Sequence, residues 1–104
     1  MKLYTYFRSS AAFRARIALN LKGIAYESAA VDLRAPTCAQ RSAQFLAVNP
    51  EGLVPVLVDG PRVIRQSLAI IEYLEEVHPA PALLPPQPEA RAQVRALAYA
   101  IACD

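Results

Sequence analysis

Tyrosine, threonine and phenylalanine crowd residues 3–7, a composition that suits a pleated, half-buried surface and predicts a first strand. Arg8-Ser9-Ser10 follows, and beyond it an apolar side chain recurs at every fourth position: Phe13, Ile17 and Leu21. That period predicts a helix over about 10–22 with those three residues as its buried stripe. A serine at its start is a good N-cap, and Gly23 suits the left-handed position just past its end. Arg14, Arg16 and Lys22 are then expected to face solvent or the edge of a site.

Residues 24–33 read as a second strand, with Tyr26 and Val31 as its clearest strand formers and Pro36 closing it. Residues 38–48 are weakly helical, anchored by Phe45, Leu46 and Val48, and Asn49-Pro50-Glu51-Gly52 is a turn. Residues 54–58 and 62–64 form a hairpin pattern in which Asp59-Gly60 supplies the tight turn. Pro55 is awkward there, since proline cannot donate to a ladder. Gln66-Ser67 opens a helix whose buried face is Leu68, Ile71, Leu74 and Val77, and His78-Pro79 stops it.

The resulting β-α-β-α-β-β-α order predicts an α/β fold, a mixed four-stranded sheet with helices on its faces. It fills residues 1–78. Residues 79–87 are a proline-rich linker, and five prolines fall within residues 79–88. In residues 88–104, Val94, Leu97, Ala98 and Ile101 stand at i, i+3, i+4 and i+7, which predicts one more helix, running to Asp104. A lone helix after a linker buries such a stripe poorly, so the chain reads as cut short.

Composition narrows the function. Eleven basic against nine acidic residues leave +2 over 104 residues, without the Lys/Arg stripe that a row of phosphates requires. At 55% apolar residues a packed core is expected, yet no apolar run approaches a membrane span. The first residues lack the pattern of a secretory signal, and Cys38 and Cys103 match no metal-ligand spacing. A reducing cytoplasm and no metal are the expectations.

The remaining chemistry sits at two helix starts. Ser9 and Ser10 lie where the first strand hands over to the first helix, beside unpaired amides and the positive end of the dipole. They either cap the helix or hold an anion. Ser67 offers the same pair of roles at the later helix. Arg8 is either a solvated surface arginine or a bidentate clamp for a carboxylate, and His78 is structural. Ser9-Ser10-Ala11-Ala12 holds no sulfur, which argues against disulfide exchange.

Taken together, Tyr6-Phe7-Arg8-Ser9-Ser10, the 14–23 segment, Asn49-Pro50, Val54-Pro55 and the 66–76 segment resemble the zeta class of glutathione transferases. That family includes the maleylacetoacetate and maleylpyruvate isomerases. The resemblance implies a thioredoxin-like glutathione-binding domain followed by an all-helical one, cytoplasmic residence and a homodimer. It implies a glutathione-dependent cis-trans isomerase of maleylacetoacetate-type dicarboxylates, with little activity from these 104 residues alone. By the same resemblance Ser9 holds the glutathione sulfur as thiolate, with Ser10 beside it. Val54 binds the cysteinyl part through main-chain groups left free by a cis Pro55. Gln66 and Ser67 hold the γ-glutamyl carboxylate, Gln40 contacts the glycyl end, and Arg8 takes a substrate carboxylate. Ala11 stands where the family usually has cysteine, so any part played by that thiol is missing. General conjugation of glutathione to small electrophiles is the alternative activity, and a non-catalytic association module is the alternative class. The presence together of Ser9, Val54-Pro55 and Gln66-Ser67 weighs against the module.

Overall fold

A computed structural model describes residues 1–103. Strand β1 (Lys2–Thr5) lies inside a four-stranded sheet of order β2-β1-β3-β4. It pairs in parallel with β2 (Glu27–Ala30) and antiparallel with β3 (Val56–Asp59), and β3 forms a hairpin with β4 (Arg62–Arg65). The hairpin turn falls one residue later than the sequence suggested, on Gly60-Pro61, with Gly60 at φ +59°. A side chain at that φ is strained, which is why glycine stands there.

The two-residue period of the strands divides the core. Leu3 and its cross-strand partner Leu57 point to one face, where they meet Ala15, Ala18 and Leu19 of α1 (Ser10–Leu21) and Ile70 and Leu74 of α3 (Ser67–Val77). Tyr4 and its partner Val56 point to the other face, against Val31 and Phe45 of α2 (Ala43–Val48). Helices on both faces of a mixed sheet are the architecture that the element order predicted.

Several local expectations are corrected. Phe13, Ile17 and Leu21 are 53%, 41% and 61% exposed, whereas Ala12, Ala15, Ala18 and Leu19 are buried. The small alanines let α1 approach the sheet and α3 closely, and the large residues face outward. In α3 the buried residues are Ser67, Ile70, Leu74 and Glu75, while Val77 is exposed. The second strand is only Glu27–Ala30, and the Val31 amide makes the last bond to β1, donating to the Thr5 carbonyl at 2.8 Å. The 38–48 segment splits into a 3-10 turn at Ala39–Arg41 and the short α2, capped by the Ser42 hydroxyl.

Lys22, expected at the surface, has no exposed side-chain area. Its Nζ meets Glu75 Oε1 at 2.8 Å and donates to the carbonyls of His78 and Pro81, tying the linker to the end of α1. The last helix, α4 (Pro88–Ala102), begins with proline at its first turn and leans on α3 through a two-pronged Arg95–Glu72 pair at 2.9 and 3.0 Å. Asp104, where the sequence carried this helix, lies outside the described residues. Among the described residues no helix is long and apolar enough to cross a membrane.

Candidate functional site

Asn49 builds one wall of the site. It is buried, its Nδ2 donates to the Leu53 carbonyl at 2.9 Å, and its Oδ1 accepts from the Glu51 amide at 3.0 Å. An asparagine that bonds its own following backbone fixes a turn, and this one delivers the chain to Val54-Pro55. That peptide bond is cis, and Val54 stands just ahead of β3, outside its ladder. The residue is therefore not the strand member that the hairpin pattern suggested.

Opposite lies the start of α3. Gln66 is the N-cap residue, at φ 74°, and its side chain makes no capping bond. A non-glycine residue at such a φ costs on the order of 1–3 kcal/mol, and such residues cluster at active sites and ligand clamps. Ser67, expected as a possible cap, is instead the first helical residue, and its Oγ accepts from Arg14 Nε at 3.4 Å and NH2 at 3.3 Å. Arg14 reaches across from α1 to do this.

These elements enclose a cavity of about 410 Å³ lined by Arg14, Val54, Pro55, Gln66 and Ser67, with Ala11, Asn49 and Glu51 also in the wall. Its size is that of a small-molecule site. Neither α1 nor α3 carries an acidic residue in its first turn, so the positive potential of both helix starts is left for an anion. Among the described residues no group of three or more metal-ligating side chains occurs.

Ser9 stands at the head of α1, half-buried, and its Oγ accepts from the Ala12 amide at 3.1 Å. The cap uses a lone pair and leaves the hydroxyl proton for another acceptor. Capping and anion binding, alternatives in the sequence, are thus compatible. Ser10 and Arg8 are exposed. Gln40 sits on the 3-10 turn with its Nε2 3.5 Å from the Leu33 carbonyl, its Oε1 buried without a partner, and it does not line the cavity.

Of the residues singled out from the sequence, the fold brings Val54, Pro55, Gln66 and Ser67 to one cavity from two segments. Sequence reading missed the parts of Arg14 and Asn49. Arg14 was seen only as a charge on a helix, since its partner lies 53 residues away. The signal for Asn49 was the Asn-Pro turn itself.

Residues 8–77 match the family of the glutathione S-transferase N-terminal domain. A maleylacetoacetate isomerase of Rhizobium meliloti is 58% identical over 103 residues, which are 98% of this chain and 47% of that protein. The chain thus spans about half the length of the curated relatives it matches. Among solved structures, a holo maleylpyruvate isomerase, a bacterial zeta-class glutathione S-transferase, superposes with a TM-score of 0.94 at 51% identity, over 100% of this chain and 48% of that one. A maleylacetoacetate isomerase from Methylobacterium extorquens with bound malonate and glutathione gives 0.93 at 54% identity, again over 100% of this chain and 48% of the other. The fold is the thioredoxin-like one that the motifs implied. The chain belongs to the glutathione S-transferase family, as an N-terminal domain of its zeta class.

Proposed function

We propose that this chain forms the glutathione-binding half of a glutathione-dependent cis-trans isomerase of maleylacetoacetate-type dicarboxylates. The observation that carries the reading is the cavity where the Val54-Pro55 turn, the Ser67 hydroxyl and the start of α3 converge. Bound glutathione supplies a thiolate that makes a conjugated cis double bond reversibly saturated and therefore free to rotate. The residues' task is to hold it and keep its sulfur ionised. Val54 offers main-chain groups outside the ladder to the cysteinyl part. Gln66, Ser67 and the unopposed helix start take the γ-glutamyl carboxylate. Ser9 directs its unused proton at the sulfur, with Ser10 adjacent. Gln40 at the glycyl end and Arg8 on a substrate carboxylate complete the set on the strength of the resemblance. Malonate and glutathione both bound in the Methylobacterium relative support a dicarboxylate as substrate.

Turnover of maleylpyruvate, compared with conjugation of chlorodinitrobenzene, tests the reading on the protein carrying this chain and a helical second domain. Faster isomerisation than conjugation is expected, and conjugation alone would move the assignment to general transferase chemistry. Absence of both, with no glutathione binding, would leave the association module. The 104-residue chain alone is expected to bind glutathione weakly and to isomerise little.

The domain division, with residues 79–87 as linker and 88–104 as the first part of a helical domain, belongs to the same proposal, as do the cytoplasm and the homodimer. Leu97 and Ile101 of α4 are 71% and 74% exposed, while Ala98 turns toward α3. Exposed apolar area is unfavourable at about 25 cal/mol per Å², so pairing of copies through α4 is expected at high concentration. Sedimentation velocity across a dilution series checks this. Leu97→Glu should shift the chain to monomer, and a wild-type chain that stays monomeric throughout would refute it.

A further inference from the structure

Lys22 meets Glu75 at 2.8 Å and Arg95 meets Glu72 at 2.9 Å, whereas the half-buried Arg14, Arg16 and Arg91 take part in no ion pair among the described residues. Arg16 donates to Thr5 and Tyr6 and Arg91 to the Pro85 carbonyl, and of the three it is Arg14 that lines the cavity. Among the described residues the one acid in the cavity wall with it, Glu51, is exposed and forms no ion pair with it. A guanidinium partly withdrawn from water without a counter-ion favours an anion brought into the same space. What Arg14 does contact is Ser67 Oγ, through both Nε and NH2. Ser67 is 7% exposed, so its hydroxyl has few other partners. With its oxygen accepting from a cation, the hydroxyl is polarised and its proton is left to donate elsewhere.

We infer that Arg14 is the positioning residue of the γ-glutamyl subsite: it orients the Ser67 hydroxyl as a donor to the α-carboxylate of that group and supplies the carboxylate's counter-charge. The inference rests on the glutathione reading above and deepens it. Arg14 thereby makes the cavity selective for ligands carrying that carboxylate. Lysine keeps the charge but loses the planar fork that grips one oxygen with two donors.

Calorimetric titration of the protein carrying this chain and a helical second domain, with glutathione and with γ-aminobutyryl-cysteinyl-glycine, which lacks only the α-carboxylate, tests this. The wild type is expected to prefer glutathione by about 10- to 100-fold, the range of a charge-assisted contact. Arg14→Ala should bind glutathione as weakly as the wild type binds the analogue, with the analogue's affinity unchanged. Arg14→Lys should keep a reduced preference. Equal weakening of both ligands would make Arg14 a structural residue, and unchanged glutathione affinity would remove it from the site; either result overturns the inference. If Arg14→Ala does not fold, the wild-type comparison and Arg14→Lys decide, and equal wild-type affinity for the two ligands overturns it. A wild-type protein with both domains that binds neither ligand overturns the glutathione reading itself, before any variant is made.

Discussion

Ser9→Ala should lower isomerisation by roughly 100- to 1000-fold, the range for losing one donor aimed at developing or held negative charge. Glutathione affinity should change only a few-fold. The asymmetry follows from what the hydroxyl touches: its oxygen is committed to the Ala12 amide, and only its proton is left to act on the sulfur. In the proposed site the peptide portion of glutathione is held elsewhere, at Val54, Gln66 and Ser67. Removing the hydroxyl also removes the cap of α1, at about 1 kcal/mol. Ser9→Asp separates the two effects, because aspartate caps a helix well but carries no proton to donate at neutral pH. It should restore the melting temperature and not the turnover. In titrations of bound glutathione, Ser9→Ala should move the ultraviolet thiolate band to higher pH. Ser10→Ala, at an exposed position, should lose much less. A loss at Ser10 equal to or larger than that at Ser9 would transfer the role.

What the sequence disclosed about this site was local. The serine at a strand-to-helix junction, the Val-Pro turn and the Gln-Ser helix start are each defined by a few adjacent residues, and each sits where its local chemistry requires. The hairpin and the long helices were legible for the same reason. The parts that escaped depend on distance or on size. Hydrophobic periodicity ranks large side chains first, so it selected Phe13, Ile17 and Leu21, whereas close approach to the sheet selects Ala12, Ala15 and Ala18. The period was right and the face was wrong. The links Arg14–Ser67 and Lys22–Glu75 each join residues more than 50 positions apart, and no pattern along one helix distinguishes a cation with a distant partner from one in water. Gln40 shows the converse limit: a resemblance assigned it a ligand contact, while its own surroundings, a 3-10 turn and a 3.5 Å contact to the Leu33 carbonyl, carry no local signal of one.

Lys22→Met should lower the unfolding free energy by about 3–5 kcal/mol, the cost of leaving a buried charge without its partner. The three ammonium protons of Lys22 have three acceptors, Glu75 Oε1 at 2.8 Å and the carbonyls of His78 and Pro81 at 2.6 and 2.8 Å. Glu75 in turn accepts from the Leu83 and Leu84 amides at 2.9 and 3.2 Å. One ion pair therefore fastens the end of α1, the body of α3 and the linker together. Methionine fills the volume but orphans two carbonyls and a carboxylate. The double variant Lys22→Met/Glu75→Leu removes both charges and should recover part of the loss, not all, since the linker's amides and carbonyls stay unpaired. Acid offers a second readout. Burial alone would raise the Glu75 carboxyl, but the bonds from Lys22, Leu83 and Leu84 outweigh it and hold it below the ordinary 4.5. With the folded value depressed, the unfolded chain binds the proton more readily. The pair's contribution is then complete above about 4.5 and disappears as pH falls through the folded value. Urea denaturation of wild type and Glu75→Gln should accordingly differ at neutral pH and converge in acid. Parallel pH profiles, or a Lys22→Met loss below about 1 kcal/mol, would show that the linker is held by its apolar contacts instead.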